Sequence, residues 1–222
     1  MNRGFFSGIN NVSKLQTLIA GLAVALTLAV SSRSSLVAAE NQERAPPLST
    51  GEADSDRAQR HVEQAVECYK RADLGCAISE LERATGLRPQ DGQIHFMLGN
   101  AHYRRQNWSA SIAEYTEASR LRPDHADTWL NLGFAHFHNS ETRSAVTAWR
   151  QAVRRSTRDP LARMALAVGF SSLGQREEAF KQFSTALDLR PDSCDREKLV
   201  IDVRWQANAL TQVEQLCRLM GR

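Results

Sequence analysis

Leu87-Arg88-Pro89 recurs as Leu121-Arg122-Pro123 and again as Leu189-Arg190-Pro191, first at one interval and then at twice that interval. Working outward from these strings, Ala84, Ala118, Ala152 and Ala186 fall in the same register. Self-similarity at a fixed period of about 34 residues is the mark of a stacked array, in which each unit is too small to bury its own apolar face. Between the proline-containing strings each unit splits into two apolar-periodic stretches of roughly a dozen residues, the spacing of paired amphipathic helices. The expected fold class is therefore all-α.

The slots inside each unit are specific. The second unit has His95-x2-Leu98-Gly99-x2-His102, then Ser111-x3-Tyr115-x2-Ala118 and Pro123. The third has Trp129-x2-Leu132-Gly133-x2-His136, then Ala145-x3-Trp149-x2-Ala152. The fourth gives Leu166-Ala167-x2-Phe170, a Leu173-Gly174 turn, Ala179-x3-Phe183-x2-Ala186 and Pro191. The first is more worn, with Ala65, Cys68, Ala77-x3-Leu81-x2-Ala84 and Pro89. This grammar resembles the tetratricopeptide repeat. The resemblance implies a right-handed α-solenoid of four helix pairs (58–91, 92–125, 126–159 and 160–193) closed by a degenerate C-terminal capping hairpin over 194–222. Two positions depart from the pattern: Thr157 stands where the third unit should have proline, and Gln64 where the first should have leucine. Gly99, Gly133 and Ala167 leave room for close helix approach, and Tyr115, Trp149 and Phe183 fill the space between. Leu199, Val200 and Val203 continue the helical spacing, and Thr211-x2-Glu214 reads as a capping box opening a last helix with Val213, Leu216, Cys217 and Met220.

Before Glu40 the chain holds Arg3, Lys14 and Arg33 and no acidic residue, so the net charge of +3 resides there and the body is balanced. A neutral body offers no electrostatic footprint for nucleic acid, which is excluded as a partner. Leu18 to Val30 is apolar or small apart from Thr27, and Val37-Ala38-Ala39 precedes Glu40 as a small-residue cleavage site. Residues 1–39 are read as a cleaved signal peptide or an uncleaved membrane anchor. Either delivers an exported body, periplasmic or secreted, with membrane attachment only through an uncleaved N-terminus. Residues 40–57, with Ala45-Pro46-Pro47 and Glu52, Asp54 and Asp56, read as a disordered linker. Arginine outnumbers lysine, a bacterial compositional hint.

Four cysteines in an exported chain point to disulfides. Cys68 and Cys76 lie symmetrically about the Arg71-Ala72-Asp73 bend of a helix pair, which brings them to bonding range. Elimination leaves Cys194 with Cys217, although an ideal hairpin would set Cys217 opposite residue 201. Four free buried thiols are the alternative.

No residue set carries catalysis or a cofactor. The glycines never form a phosphate loop, and no Cys-x2-Cys pair exists for zinc, haem or redox work. His95 and His102, and His136 and His138, are the tempting metal ligands, but His102 and His136 occupy a packing slot of the repeat. Arg150, Arg154, Arg155, Arg158 and Arg163 read as a solvated outer face, with an acidic partner or anionic lipid as the alternative.

The resemblance instead implies a protein or peptide partner held in the concave groove lined by the first helix of each pair. The matching slots are Tyr69, Phe96, Asn100, Tyr103, Leu130, Phe134, Phe137, Met164 and Val168. This strip is apolar with aromatic anchors and suits an amphipathic helix. Asn100 and Asn131 match places used by carboxylate-clamp members, but Phe96, Leu161 and Ala165 fill the cation places, so no clamp is expected. The functional expectation is a cell-envelope scaffold for assembly of an envelope, pilus or secretion complex, with a membrane-anchored, self-assembling scaffold as the alternative.

Overall fold

The computed structural model describes residues 50–195, 207–219 and Gly221. The apolar segment of residues 1–39 and the Leu199–Val203 stretch lie outside the described residues, as does most of the expected linker. Among the described residues all regular structure is helical: α1 (Thr50–Lys70), α2 (Leu74–Leu87), α3 (Gly92–Arg104), α4 (Trp108–Leu121), α5 (Ala126–His138), α6 (Thr142–Arg155), α7 (Pro160–Ser172), α8 (Arg176–Leu189) and α9 (Ala207–Leu219).

The period seen in the sequence is repeated in the backbone. Gly92, Ala126 and Pro160 open first helices one period apart, and Leu74, Trp108, Thr142 and Arg176 open their partners at the same interval. Each bend between partners turns on one left-handed residue: Ala72 (φ 57°), Gln106 (60°), Ser140 (64°) and Gly174 (74°). The bend is closed by the same long-range backbone bond each time, from Asp73 to Cys68, Asn107 to His102, Glu141 to His136 and Gln175 to Phe170. Three of the four bends accept a left-handed side-chain residue at a cost of about 1 kcal/mol each, offset by these bonds. Second helices stop where the chain turns extended, at Arg88, Arg122, Ser156 and Arg190. Three of these precede proline, which disfavours helix in the preceding residue. Ser156 takes the same conformation before Thr157.

Consecutive helices pack on one another from α2 through α8. The core forms two clusters. The smaller contains Ala65, Ile78, Leu81, Ala84, Ile94, Leu98 and Ala101. The larger runs from Tyr103 to Cys217 and includes Tyr115, Phe134, Trp149 and Phe183. Close approach at the glycine slots is strict. A Cβ on Gly133 would stand 2.4 Å from the Trp149 indole, and one on Gly99 would stand 2.7 Å from the Tyr115 ring. At the N-terminal face of the stack, exposed Gln64 lies in an open cleft with Arg60, Glu63, Glu67, Arg71, Glu80 and Arg83, the polar surface that an end repeat requires.

Two expectations need correction. Helix α1 opens at Thr50, inside the stretch expected to be a disordered linker. Asp54 lies near its N-terminus, where the macrodipole favours a negative charge, and pairs with Arg57 one turn on. Likewise, Thr211 does not begin the last helix, which starts at Ala207 and places Thr211 in its interior. A capping-box string therefore misplaced this boundary.

Both cysteine pairings are present. Cys68 and Cys76 are bonded with Cα atoms 5.7 Å apart, and Cys194 and Cys217 with Cα atoms 5.9 Å apart. Helix α9 packs back against α7, and the second bond ties its last turn to Cys194 beyond α8.

Candidate partner-binding face

The first helices of the second, third and fourth repeats are fixed by one recurring contact. His95 Nε2 donates to the Pro89 carbonyl at 3.0 Å, since that oxygen can only accept. Trp129 Nε1 donates to the Pro123 carbonyl at 2.8 Å. Arg163 donates to the Thr157 carbonyl from Nε at 3.1 Å and Nη2 at 2.8 Å. Donors and acceptors each step by one full period. The contact uses a main-chain oxygen, so Thr157 serves as well as proline. The same slot residue also reaches sideways into its own repeat: His61 Nδ1 meets Glu80 at 2.7 Å, His95 Nδ1 meets Glu114 at 2.7 Å, and Arg163 donates to Gln182 at 3.0 Å.

On this frame, the nine slots expected to line a groove divide sharply. Tyr103, Leu130, Phe134, Phe137, Met164 and Val168 are buried within the chain, none more than 8% exposed, and so present no surface to a partner. The third repeat buries its slots because Trp149 is large: Phe134 meets its indole edge-on at 5.4 Å, Phe137 packs at 5.6 Å, and the indole N–H donates to the Leu130 carbonyl. Tyr103 packs against Trp108 at 5.1 Å.

In the fourth repeat α9 packs on α7, where Met164 and Val168 are buried. Met164, Val168 and Ser172 stand four residues apart along one face of α7. Ser172 Oγ donates to Gln212 Oε1 at 2.9 Å, which places α9 on that face. Val213, Leu216 and Cys217 join the buried cluster that holds Met164 and Val168.

Tyr69, Phe96 and Asn100 remain partly exposed in the first two repeats. The Tyr69 hydroxyl donates to the Met97 carbonyl at 3.2 Å, and Arg104 lies over its ring at 5.6 Å. Burial pushes the Tyr69 phenol up to about 12, while the Arg104 charge works in the opposite direction. Phe96 rests against Tyr115 at 5.9 Å and His125 at 5.6 Å. Asn100 Oδ1 accepts from the Tyr115 hydroxyl at 2.6 Å and from Asn131 Nδ2 at 3.1 Å, so the two clamp-place asparagines bond each other. Two further residues complete the surface. Val66 is 37% exposed and stands one period before Asn100, so the register alone could have found it. Arg104 is exposed and pairs with no carboxylate among the described residues. The open surface is thus a short strip of Val66, Tyr69, Phe96 and Asn100, bordered by the Arg104 cation.

The tempting histidines go separate ways. His95 is held as above, and His136 Nδ1 meets Glu141 at 2.7 Å. That bond, with a second from Asn139, holds the Glu141 carboxyl below its ordinary range. His102 has a buried Nδ1 without a partner among the described residues, and burial lowers its basicity. His138 packs among the Tyr103, Trp108, Phe134 and Phe137 rings. The arginine run divides as well. Arg155 lies over the Trp129 ring at 4.8 Å and bonds the Pro123 carbonyl, Arg150 lies over Phe170 at 5.1 Å, and Arg163 holds Thr157. Arg154 and Arg158 face solvent.

Comparison with known proteins agrees with this architecture. Two family models match, one described as TPR repeat over residues 99–140 and one as tetratricopeptide repeat over residues 75–118. The chain thus carries tetratricopeptide repeats over residues 75–140. A search of curated proteins finds no match. Among solved structures, a crystal structure of MamA protein superposes with a TM-score of 0.62 at 16% identity, covering 73% of this chain and 89% of that one. A MamA RS-1 double mutant gives 0.61 at 19% identity, covering 74% and 97%. YrrB, described as a TPR protein with an unusual peptide-binding site, gives 0.57 at 16% identity, covering 78% and 94%. At these identities the likeness concerns fold.

Proposed function

We propose that this chain is a non-catalytic interaction scaffold of the bacterial cell envelope that holds an amphipathic helix or peptide of a partner protein on the inner face of its first two repeats. The observation that carries the reading is the strip of Val66, Tyr69, Phe96 and Asn100, which stays open while the equivalent slots of the later repeats are buried. Its composition defines the ligand. An apolar ridge seats on Val66 and Phe96, and a carboxylate flanking that ridge pairs with Arg104. Large apolar and aromatic anchors with a charged border are typical of surfaces whose binding energy concentrates in a few residues. YrrB, a structural neighbour, is described as having a peptide-binding site. The charge and apolar pattern of residues 1–39 supports export as part of this reading. The assembly of an envelope, pilus or secretion complex is the role such a scaffold would serve.

A photo-crosslinking residue at position 66 tests this in cells, with position 113 on the exposed side of α4 as the control. One discrete partner band at position 66, lost with Phe96→Ala in a chain of unchanged melting temperature, supports the reading. Equal labelling at both positions, or a band insensitive to Phe96→Ala, overturns it. Mass spectrometry of the same bait reads its N-terminus, and a start near Glu40 supports the exported form.

A further inference from the structure

We propose that α9 is a displaceable internal ligand, seated in a helix-binding site on the Met164–Val168–Ser172 face of α7 and latched there by the Cys194–Cys217 disulfide. A dithiol reductant opens this latch and frees the site for the α9 helix of a second copy. This goes beyond the strip on the first two repeats and uses none of its residues.

Three observations converge on α9. First, its contact is one-sided: Val213 is fully buried, Leu216 is 3% exposed and Cys217 6%, whereas Thr211, Gln215, Arg218 and Leu219 face outward. That is how a docked amphipathic helix sits, and an isolated helix of 13 residues is marginal in water without such docking. Second, its anchors orient it. Gln212 meets Ser172 at the C-terminal end of α7. Cys217 is tied to Cys194, just beyond Arg190, whose guanidinium reaches Met164 Sδ nearer the other end. The helix therefore runs antiparallel to α7 along the face that the repeat register assigns to ligands. Third, the covalent tie is placed to act as a latch. It spans 23 residues and joins the end of α8 to the far end of α9. The other disulfide spans only 8, across a bend already held by the Asp73–Cys68 backbone bond and the His61–Glu80 contact. Cutting that one frees no element.

Access favours one direction of attack, since Cys194 is partly exposed and Cys217 is buried. A thiolate of the reductant bonds Cys194 Sγ, and Cys217 leaves as a thiolate that takes up a proton. The second thiol of the reductant then displaces Cys194. The protein gains two thiols, and the dithiol is oxidised to its own disulfide. α9 is then held without a covalent tie, by contacts that include the buried Val213, Leu216 and Cys217 side chains and the Gln212–Ser172 bond.

The test uses the full chain, a fluorescent peptide of residues 207–219 with serine in place of Cys217, and dithiothreitol as the reductant. The oxidised chain should leave the peptide unbound. The reduced chain, and the Cys194→Ser/Cys217→Ser variant, should bind it at least tenfold tighter, and a further Val168→Asp should abolish that binding. Cys68→Ser/Cys76→Ser should stay closed until reduced. Amide exchange in α9 should quicken at least tenfold on reduction while α3–α6 stay unchanged. Equal peptide binding in both redox states overturns the proposal, as does an α9 that remains protected after reduction. Unfolding of the whole chain on reduction also overturns it, because α9 would then be part of the frame.

Discussion

The first two repeats and the last two are built on one register yet solve burial differently. In the first half the slot pairs are His61–Glu80 and His95–Glu114, and the core between them is a small aliphatic cluster. In the second half the same slots hold Trp129 with Ala148 and Arg163 with Gln182, and the core is large and centred on fully buried Trp149 and Phe183. The inner face follows the core. Where the second helices supply Leu81 and Tyr115, the first helices keep Val66 and Phe96 near the surface. Where they supply Trp149, and where α9 folds back, the first helices are covered. A repeat's inner face is therefore available only when nothing larger from within the chain has claimed it.

This contrast can be broken at its centre first. Trp149→Ala should cost about 3–5 kcal/mol in chemical denaturation, because the cavity would strand Phe134 and Phe137 together. Next, Met164→Ala should cost about 2–5 kcal/mol, while Phe96→Ala, in the equivalent slot two repeats earlier, should cost far less and act on partner capture. If Phe96→Ala proves as destabilising as Met164→Ala, the two halves are alike and the open strip is core.

A pH titration sharpens the contrast from the open side. The Tyr69 phenol, raised to about 12, stays protonated in the folded chain after it would ionise in the unfolded one. Its contribution is fully present below about pH 10 and is lost as pH rises towards 12. The phenolate absorbance of the folded chain should show a late-titrating group that Tyr69→Phe removes, along with part of the alkaline destabilisation. The smallest effect is at the bends. Ser140→Gly should stabilise by about 0.5–1 kcal/mol, giving the third repeat the left-handed residue that Gly174 supplies in the fourth.

Much of the frame was legible from spacing. The repeat period, the glycines facing Tyr115 and Trp149, and the Cys68–Cys76 pairing each follow from register, and each is local. The partner face was only partly legible, because register gives the direction of a side chain and not what lies over it. Phe134 and Val168 occupy ligand slots as plainly as Asn100 does. Nothing in their own neighbourhood announces Trp149's reach or the return of α9. The start of α9 was misread because Thr211 and Glu214 form a capping string in the middle of a helix. The contact of α3, α5 and α7 with the turn preceding each was hidden for a different reason, since its acceptor is main chain.

That hidden contact has a consequence for how such an array can change over time. A joint whose acceptor is a carbonyl makes no demand on the residue that bears it, and its donor has been an imidazole, an indole and a guanidinium in successive units. Substitution at either side can proceed while the angle between neighbouring units is kept. Lineages of this chain are thus free to lose the letters by which the array is recognised, beginning with the turn at Thr157, long before they lose the array.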